Sequence, residues 1–192
     1  VVGLIGITGT NGKTTITYLL ETMLASSGKT CGVVGTINHR SGGKIVKSDN
    51  TTPGIVENFQ LLAEMASQGV DYCAMEVSSH ALDQRRVQGL NFRYAIFTNL
   101  TSDHLDFHQD RENYFLAKAK LFTSLSQKSR GIINLDDEFG LRLKGMTLAP
   151  VWTYGIKNSA DFYAQKIELG FMGSRFELVT PQGTVEIKTS LI

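Results

Sequence analysis

Apolar residues follow two rhythms along this chain. Short unbroken runs, the first being Val1-Val2-Gly3-Leu4-Ile5-Gly6-Ile7, end in turn-forming residues and read as strands buried on both faces. Between such runs the apolar positions recur at helical spacing. Ile16, Leu19, Leu20, Met23 and Leu24 predict a helix over residues 14–27, with Gly28 where a C-terminal cap belongs. Residues 29–36 read as a second strand, and 39–52, rich in Ser, Gly, Lys and Asp, as a hairpin or loop. Pro53 opens the next element, and Ile55, Phe59, Leu62, Ala63 and Ala66 mark a second amphipathic helix that ends at Gly69. Strands follow at 72–77 and 93–99. A helix over 110–125 carries Tyr114, Ala117, Leu121 and Leu125 on one side, and a strand at 131–135 runs into Asp136-Asp137. This alternation predicts an α/β fold, a doubly wound and mostly parallel sheet whose ligands gather at the carboxyl ends of the strands.

After Val151-Trp152-Thr153-Tyr154 the rhythm changes to period two. Phe176 and Leu178, then Val185 and Ile187, alternate with polar residues around Pro181-Gln182-Gly183, which predicts a β-hairpin and a small antiparallel appendage. Residues 1–192 suit one domain, and 42% hydrophobic with 19% charged residues describes a soluble globular chain. Nineteen Lys+Arg against eighteen Asp+Glu leave a net charge of +1, so no global field favours nucleic acid or an anionic membrane. No apolar run approaches the ~20 residues that span a bilayer. Cys31 and Cys73 lie in apolar strands without metal-ligand spacing and read as small hydrophobes of a reduced, cytoplasmic protein. The chain starts inside one apolar strand and stops after another, which reads as a segment cut from a longer protein.

Chemistry first enters between the first strand and the first helix. Gly9-Thr10-Asn11-Gly12-Lys13-Thr14-Thr15 has glycines that let backbone N–H groups face a phosphate and a lysine to add charge. Thr14 offers a hydroxyl to Mg²⁺. The usual first glycine of such loops is replaced by Ile7, so this is a shortened P-loop. A glycine-rich turn of another fold is the competing reading, and the buried strand before it and amphipathic helix after it argue against that.

Thr8 to Thr15 resembles the phosphate loop of the Mur ligase family, ATP-dependent amide-forming enzymes that include folylpolyglutamate synthetase. Asn50-Thr51-Thr52-Pro53, Glu76-Val77-Ser78-Ser79-His80, the stretch from Phe97 to His108, Ala117-Lys118-Ala119-Lys120-Leu121-Phe122 and Asn134-Leu135-Asp136-Asp137 extend the likeness over nearly the whole chain. In order and spacing they are similar to the members that add the third amino acid of the peptidoglycan precursor. The resemblance implies that ATP activates a substrate carboxylate as an acyl phosphate, which an amine then converts to an amide. It implies a central ATP-binding domain, with an N-terminal domain for uridine and a C-terminal domain for the amino acid lying outside these residues.

By that resemblance Gly9, Thr10, Asn11, Gly12, Lys13, Thr14, Thr15 and Asn134 bind ATP, Asn134 at the adenine. Lys13, Glu76, His104 and Lys118 form the catalytic set. Thr14, Glu76, His104 and Lys118 are expected to hold two Mg²⁺ ions, Lys118 as a carbamate, because CO₂ turns its cation into an anion with two acceptor oxygens. Asn50, Thr51, Thr52, Ser78, Gln84 and Arg86 match contacts to the partner substrate, UDP-N-acetylmuramoyl-dipeptide, to which meso-diaminopimelate or L-lysine is joined. Arg86 suits an anionic group.

Without the resemblance, several of these residues read differently. Glu76 is a strand-end acid, Lys118 a solvated helix position, and Thr51-Thr52-Pro53 a helix cap. Asp136-Asp137 reads as a turn or N-cap, His80 and His108 as satisfied loop histidines, and Phe97, Phe107 and Phe122 as core. Another Mur ligase or a folylpolyglutamate synthetase-like enzyme would share the loop but not the Glu76–His80 and Asn50–Pro53 stretches. A nucleotide-binding regulatory module would have lost Glu76, His104 or Lys118, and all are present.

Overall fold

The computed structural model describes residues 2–101 and 105–191. β1 (Gly3–Thr8) lies between β5 (Tyr72–Glu76) and β6 (Phe92–Phe97), parallel to both. Beyond β5 come β2 (Cys31–Val34), parallel, then β3 (Asn38–Ser41) and β4 (Lys44–Lys47), antiparallel. Beyond β6 come β7 (Arg130–Asn134), β8 (Val151–Gly155) and β9 (Phe162–Gly170), all parallel. β10 (Gly173–Thr180) and β11 (Gly183–Thr189) then finish the sheet antiparallel. Among the described residues, eleven strands thus share one sheet with antiparallel pieces at both edges.

Side-chain alternation along the central strands sorts the core into two faces. Ile5, Ile7, Ala74 and Ile96 meet Ile16, Leu20 and Leu24 of α1 (Lys13–Ser26) on one face. Leu4, Cys73, Met75, Ala95 and Phe97 point to the other. There they meet Met65 of α2 (Ile55–Ser67), α5 (Arg111–Thr123) and α6 (Glu138–Lys144). Helices on both faces bear out the doubly wound sheet.

α5 is wrapped by its neighbours on most sides. Asp110 caps it by accepting from the Asn113 N–H at 2.7 Å, and Tyr114, Phe115, Leu121 and Phe122 are fully buried. Each such side chain contributes about 1.5–3 kcal/mol on burial. Leu121→Ala alone would cost about 2–5 kcal/mol.

Three features differ from the sequence reading. Short helices α3 (Ser79–Asp83), α4 (Leu105–His108) and α6 are too brief to leave a 3.6-residue rhythm. The antiparallel appendage has a third strand, β9, and is stitched into the main sheet through Tyr154 beside Phe162 and Gly155 beside Tyr163. Phe107 is not core: it is 41% exposed and lies over the His80 ring, centroids 4.1 Å apart. Cys73 is buried, Cys31 half-buried, and both are free thiols. No described helix is long and apolar enough to cross a membrane.

Candidate functional site

β1 delivers the chain to the point where the sheet's connections diverge, β2 and β5 to one side and β6 to the other, the place where open α/β sheets hold ligands. The turn there needs glycine. Gly9 has φ 144° and Gly12, the N-cap of α1, φ 87°, both in the region L side chains rarely adopt. A Cβ on Gly9 would also stand 1.9 Å from the Thr98 hydroxyl.

The end of β6 clamps the loop. Thr10 N–H donates to the Asn99 carbonyl at 2.8 Å, Asn11 N–H to the Asn99 side chain at 3.0 Å, and the Thr98 hydroxyl to the Asn11 carbonyl at 2.7 Å. Asn134 supports this clamp by donating to the Thr98 carbonyl at 2.8 Å while accepting from Asp136 N–H at 2.9 Å. Thr98 and Asn99 belong to the motif read from sequence, which gave them no separate task. Asp137 caps α6 through Phe139 N–H at 2.9 Å and also accepts Leu100 N–H at 2.7 Å.

Lys13 donates to the carbonyls of Gly9 at 2.9 Å and Thr10 at 2.8 Å. Lys118, four residues beyond Tyr114 on α5, reaches the same Gly9 carbonyl at 3.0 Å and lies 4.3 Å from the Tyr114 ring centroid. At 2% exposure it is no solvated helix position, which corrects the reading made without the resemblance. Two lysines therefore converge on one oxygen at the mouth of the loop.

Glu76, the last residue of β5, is 1% exposed. The Thr14 hydroxyl sits 3.0 and 2.9 Å from its two carboxylate oxygens. Thr36, in the β2–β3 turn, donates to the same carboxylate through its N–H and its hydroxyl, each at 3.0 Å. Sequence reasoning missed Thr36, because a threonine after glycine in a turn carries no distinguishing signal. One carboxylate and one hydroxyl beside a phosphate-type loop suit Mg²⁺, which takes one or two protein oxygens and completes its shell with phosphate and water. Among the described residues no group of three His, Cys, Asp or Glu gathers as a denser metal site. His104 lies outside the described residues.

The residues expected at the acyl substrate fall mainly into one network. Thr52 does not cap α2, whose N-cap is Gly54 without a side-chain bond. Instead its hydroxyl donates to the Glu76 carbonyl at 2.8 Å and accepts Ser78 N–H at 3.0 Å. Ser78 caps α3 through Ala81 N–H at 3.1 Å. Arg86 donates to the Thr52 carbonyl at 3.0 Å and to Gln84 at 2.8 Å. Thr51 meets Thr36 at 3.1 Å, whereas Asn50 is exposed and its backbone carbonyl accepts from Ser48 at 2.6 Å. Next to this network His108 is buried and bonded to Ser79 at 2.9 Å.

The family model described as Mur ligase middle domain matches residues 7–192. A UDP-N-acetylmuramoyl-L-alanyl-D-glutamate–2,6-diaminopimelate ligase of Geobacter metallireducens is 43% identical over 194 residues, covering 98% of this chain and 38% of that protein. A solved structure of a ligase with the same name superposes with TM-score 0.90 at 32% identity, over 100% of this chain and 40% of the other. MurF from Acinetobacter baumannii superposes with TM-score 0.79 at 21% identity, over 99% of this chain and 39% of its own, a likeness of fold.

Proposed function

Since this chain belongs to the Mur ligase family, as a middle domain, we propose that it supplies the nucleotide, Mg²⁺ and acyl-phosphate site of an ATP-dependent amide ligase. The whole enzyme would join diaminopimelate, the amino acid in its relatives' names, to UDP-N-acetylmuramoyl-L-Ala-D-Glu in peptidoglycan precursor synthesis. Flanking domains, which the relatives have length to hold, would bring the uridine and the incoming amino acid.

The observation that carries this reading is the Thr14–Glu76 pair, at 2.9 and 3.0 Å, set under a glycine loop with Lys13 at its mouth. The loop N–H groups and Lys13 would hold the nucleotide phosphates and neutralise charge as the γ-phosphoryl group moves to the substrate carboxylate. Thr14 and Glu76 would hold one Mg²⁺, and Lys118 as a carbamate would hold a second together with His104. The bound ions would supply positive charge against the transferring phosphoryl group. The carboxylate oxygen bonds to phosphorus as the bond to ADP breaks; the amine then bonds to the acyl carbon as phosphate leaves.

A carbamate at Lys118 would suit this position: the Lys118 amine lies 3.0 Å from the Gly9 carbonyl that Lys13 reaches at 2.9 Å, so an anion there would stand beside the Lys13 cation. Addition of CO₂ to the neutral amine, with loss of a proton, gives an N–H that still donates to Gly9 and a carboxylate that attracts Lys13. Arg86, with Thr51, Thr52, Ser78 and Gln84 around it, would position the anionic acyl substrate.

Isothermal titration with Mg²⁺ and a nonhydrolysable ATP analogue tests the reading. Lys13→Ala should weaken binding roughly 100-fold, since a charged donor to phosphate contributes about 1.5–3 kcal/mol. Equal affinity in variant and parent would overturn it. Turnover by the 192 residues alone is expected to be undetectable, because positioning shared across domains supplies much of the rate.

A further inference from the structure

We infer that Thr36 is a positioning residue that holds the Glu76 carboxylate ready for Mg²⁺ and ties it to the substrate loop through Thr51. The inference rests on the functional reading above and extends it to a residue with no role in the sequence motifs. An ionised carboxylate has about four lone-pair directions and donates nothing. Thr36 fills one on each oxygen, N–H to Oε1 and hydroxyl to Oε2, both at 3.0 Å. Thr14 approaches both oxygens as well, at 3.0 and 2.9 Å. Thr14 and the metal would share one set of directions, while Thr36 keeps the other and fixes the plane of the carboxylate.

Proton counting extends the chain one residue further. The Thr36 hydroxyl is also the donor to Thr51 across 3.1 Å, so its single proton is shared between the Glu76 carboxylate and the Thr51 hydroxyl. Thr51 precedes Thr52, which holds the Glu76 carbonyl and the Ser78 N–H. Side chain and backbone of Glu76 are thereby both tied to residues expected at the acyl substrate. A shift of that loop on substrate binding reaches the metal carboxylate through two hydrogen bonds.

The backbone agrees with this assignment. Gly35 is buried, and a Cβ there would stand 2.3 Å from Glu76 Oε1, so the turn that presents Thr36 can approach the carboxylate only as glycine. Thr36 itself is solvent-exposed, which makes its hydroxyl replaceable without opening the core.

The test compares Thr36→Val, which keeps the shape and the N–H, with Thr36→Ser, which keeps the hydroxyl. Mn²⁺ binding in the presence of the nonhydrolysable ATP analogue is read by electron paramagnetic resonance, and analogue binding by titration across Mg²⁺ concentrations. Thr36→Val should raise the metal concentration for half-saturation by about tenfold, the scale of one hydrogen bond to a charged group. Metal-free analogue affinity and the thermal midpoint should stay unchanged, and Thr36→Ser should restore metal binding. Wild-type metal affinity in Thr36→Val, beside its loss in Glu76→Gln, overturns the positioning role alone. Analogue binding by the wild type that ignores metal overturns the functional reading and this inference together.

Discussion

The sheet ends in antiparallel strands at both edges, and the two edges are built for different ends. At one, the β3–β4 hairpin is short and folds back beside the site: the turn leading into it holds Glu76, and His39 within it is 3% exposed. At the other, β9, β10 and β11 form a longer arm whose polar side chains pair on the surface, Lys166 with Glu177 and both Arg175 and Lys188 with Glu186. β4 is exposed along its length, but the turn into the hairpin donates to the buried Glu76 carboxylate, where moving a donor leaves a desolvated oxygen unsatisfied. Water replaces any partner lost on the arm. Strand direction therefore says little about function here, and the depth at which polar groups are placed says much.

The largest effect should come from Gly35→Ala. The added methyl cannot coexist with Glu76 Oε1 at 2.3 Å, so either the turn retreats or the carboxylate turns away from Thr14. Overpacking of this kind costs about 1–3 kcal/mol, readable in urea denaturation. Metal-dependent analogue binding should fall at least as far as in Thr36→Val. An alanine variant with parental stability and metal affinity would break the comparison at its strongest point, because the hairpin edge would then be no more tightly specified than the arm.

How much of this could be read beforehand follows the same division. The strand, glycine loop and helix from Gly3 to Ser26 are written in strong local patterns, and Glu76 falls at the end of an apolar run. The burial of Lys118 is hidden because α5 has apolar neighbours on most sides, so no polar stripe distinguishes the lysine from a solvated one. Thr36 and the Asn99–Asn11 clamp join residues about 40 and 90 positions apart in sequence, beyond the reach of any periodicity. The union of the arm with the main sheet rests on two residue pairs between β8 and β9, too short a ladder to leave a mark. On residue chemistry alone Thr52 reads as a cap, because Thr-Pro before a helix fits that pattern whatever lies behind it, and the N-cap is instead Gly54.

A smaller effect is expected from pH. Burial holds the His39 pKa below its ordinary value, with Glu57, Asn38 and Asp49 pulling the other way, and neither ring nitrogen has a hydrogen-bond partner among the described residues. The folded state therefore takes up a proton less readily than the unfolded chain. His39 contributes no penalty above the unfolded pKa of about 6.5, and stability falls as pH drops through and below it. His39→Leu, which removes the ionisable group but keeps an apolar side chain, should flatten the denaturation midpoint between pH 7.5 and 5. The arm has no histidine and should add no slope in this range. An unchanged slope in His39→Leu would mean that the hairpin edge opens at no cost to the fold.

The smallest effect should come from the arm. Glu177 and Glu186 face each other directly across β10 and β11, an unfavourable pairing that Lys166, Arg175 and Lys188 offset from the sides. Arg175 is exposed, and so are the partners around it, so the attraction works through water and side-chain entropy opposes it. Arg175→Ala should leave the denaturation midpoint within measurement error, in 1 M salt as in dilute buffer, because an interaction already screened by water has little for salt to remove. A clear drop at low salt that vanishes at high salt would instead make the arm an electrostatic unit. The contrast between the edges would then rest on screening, with burial alone no longer sufficient to explain it.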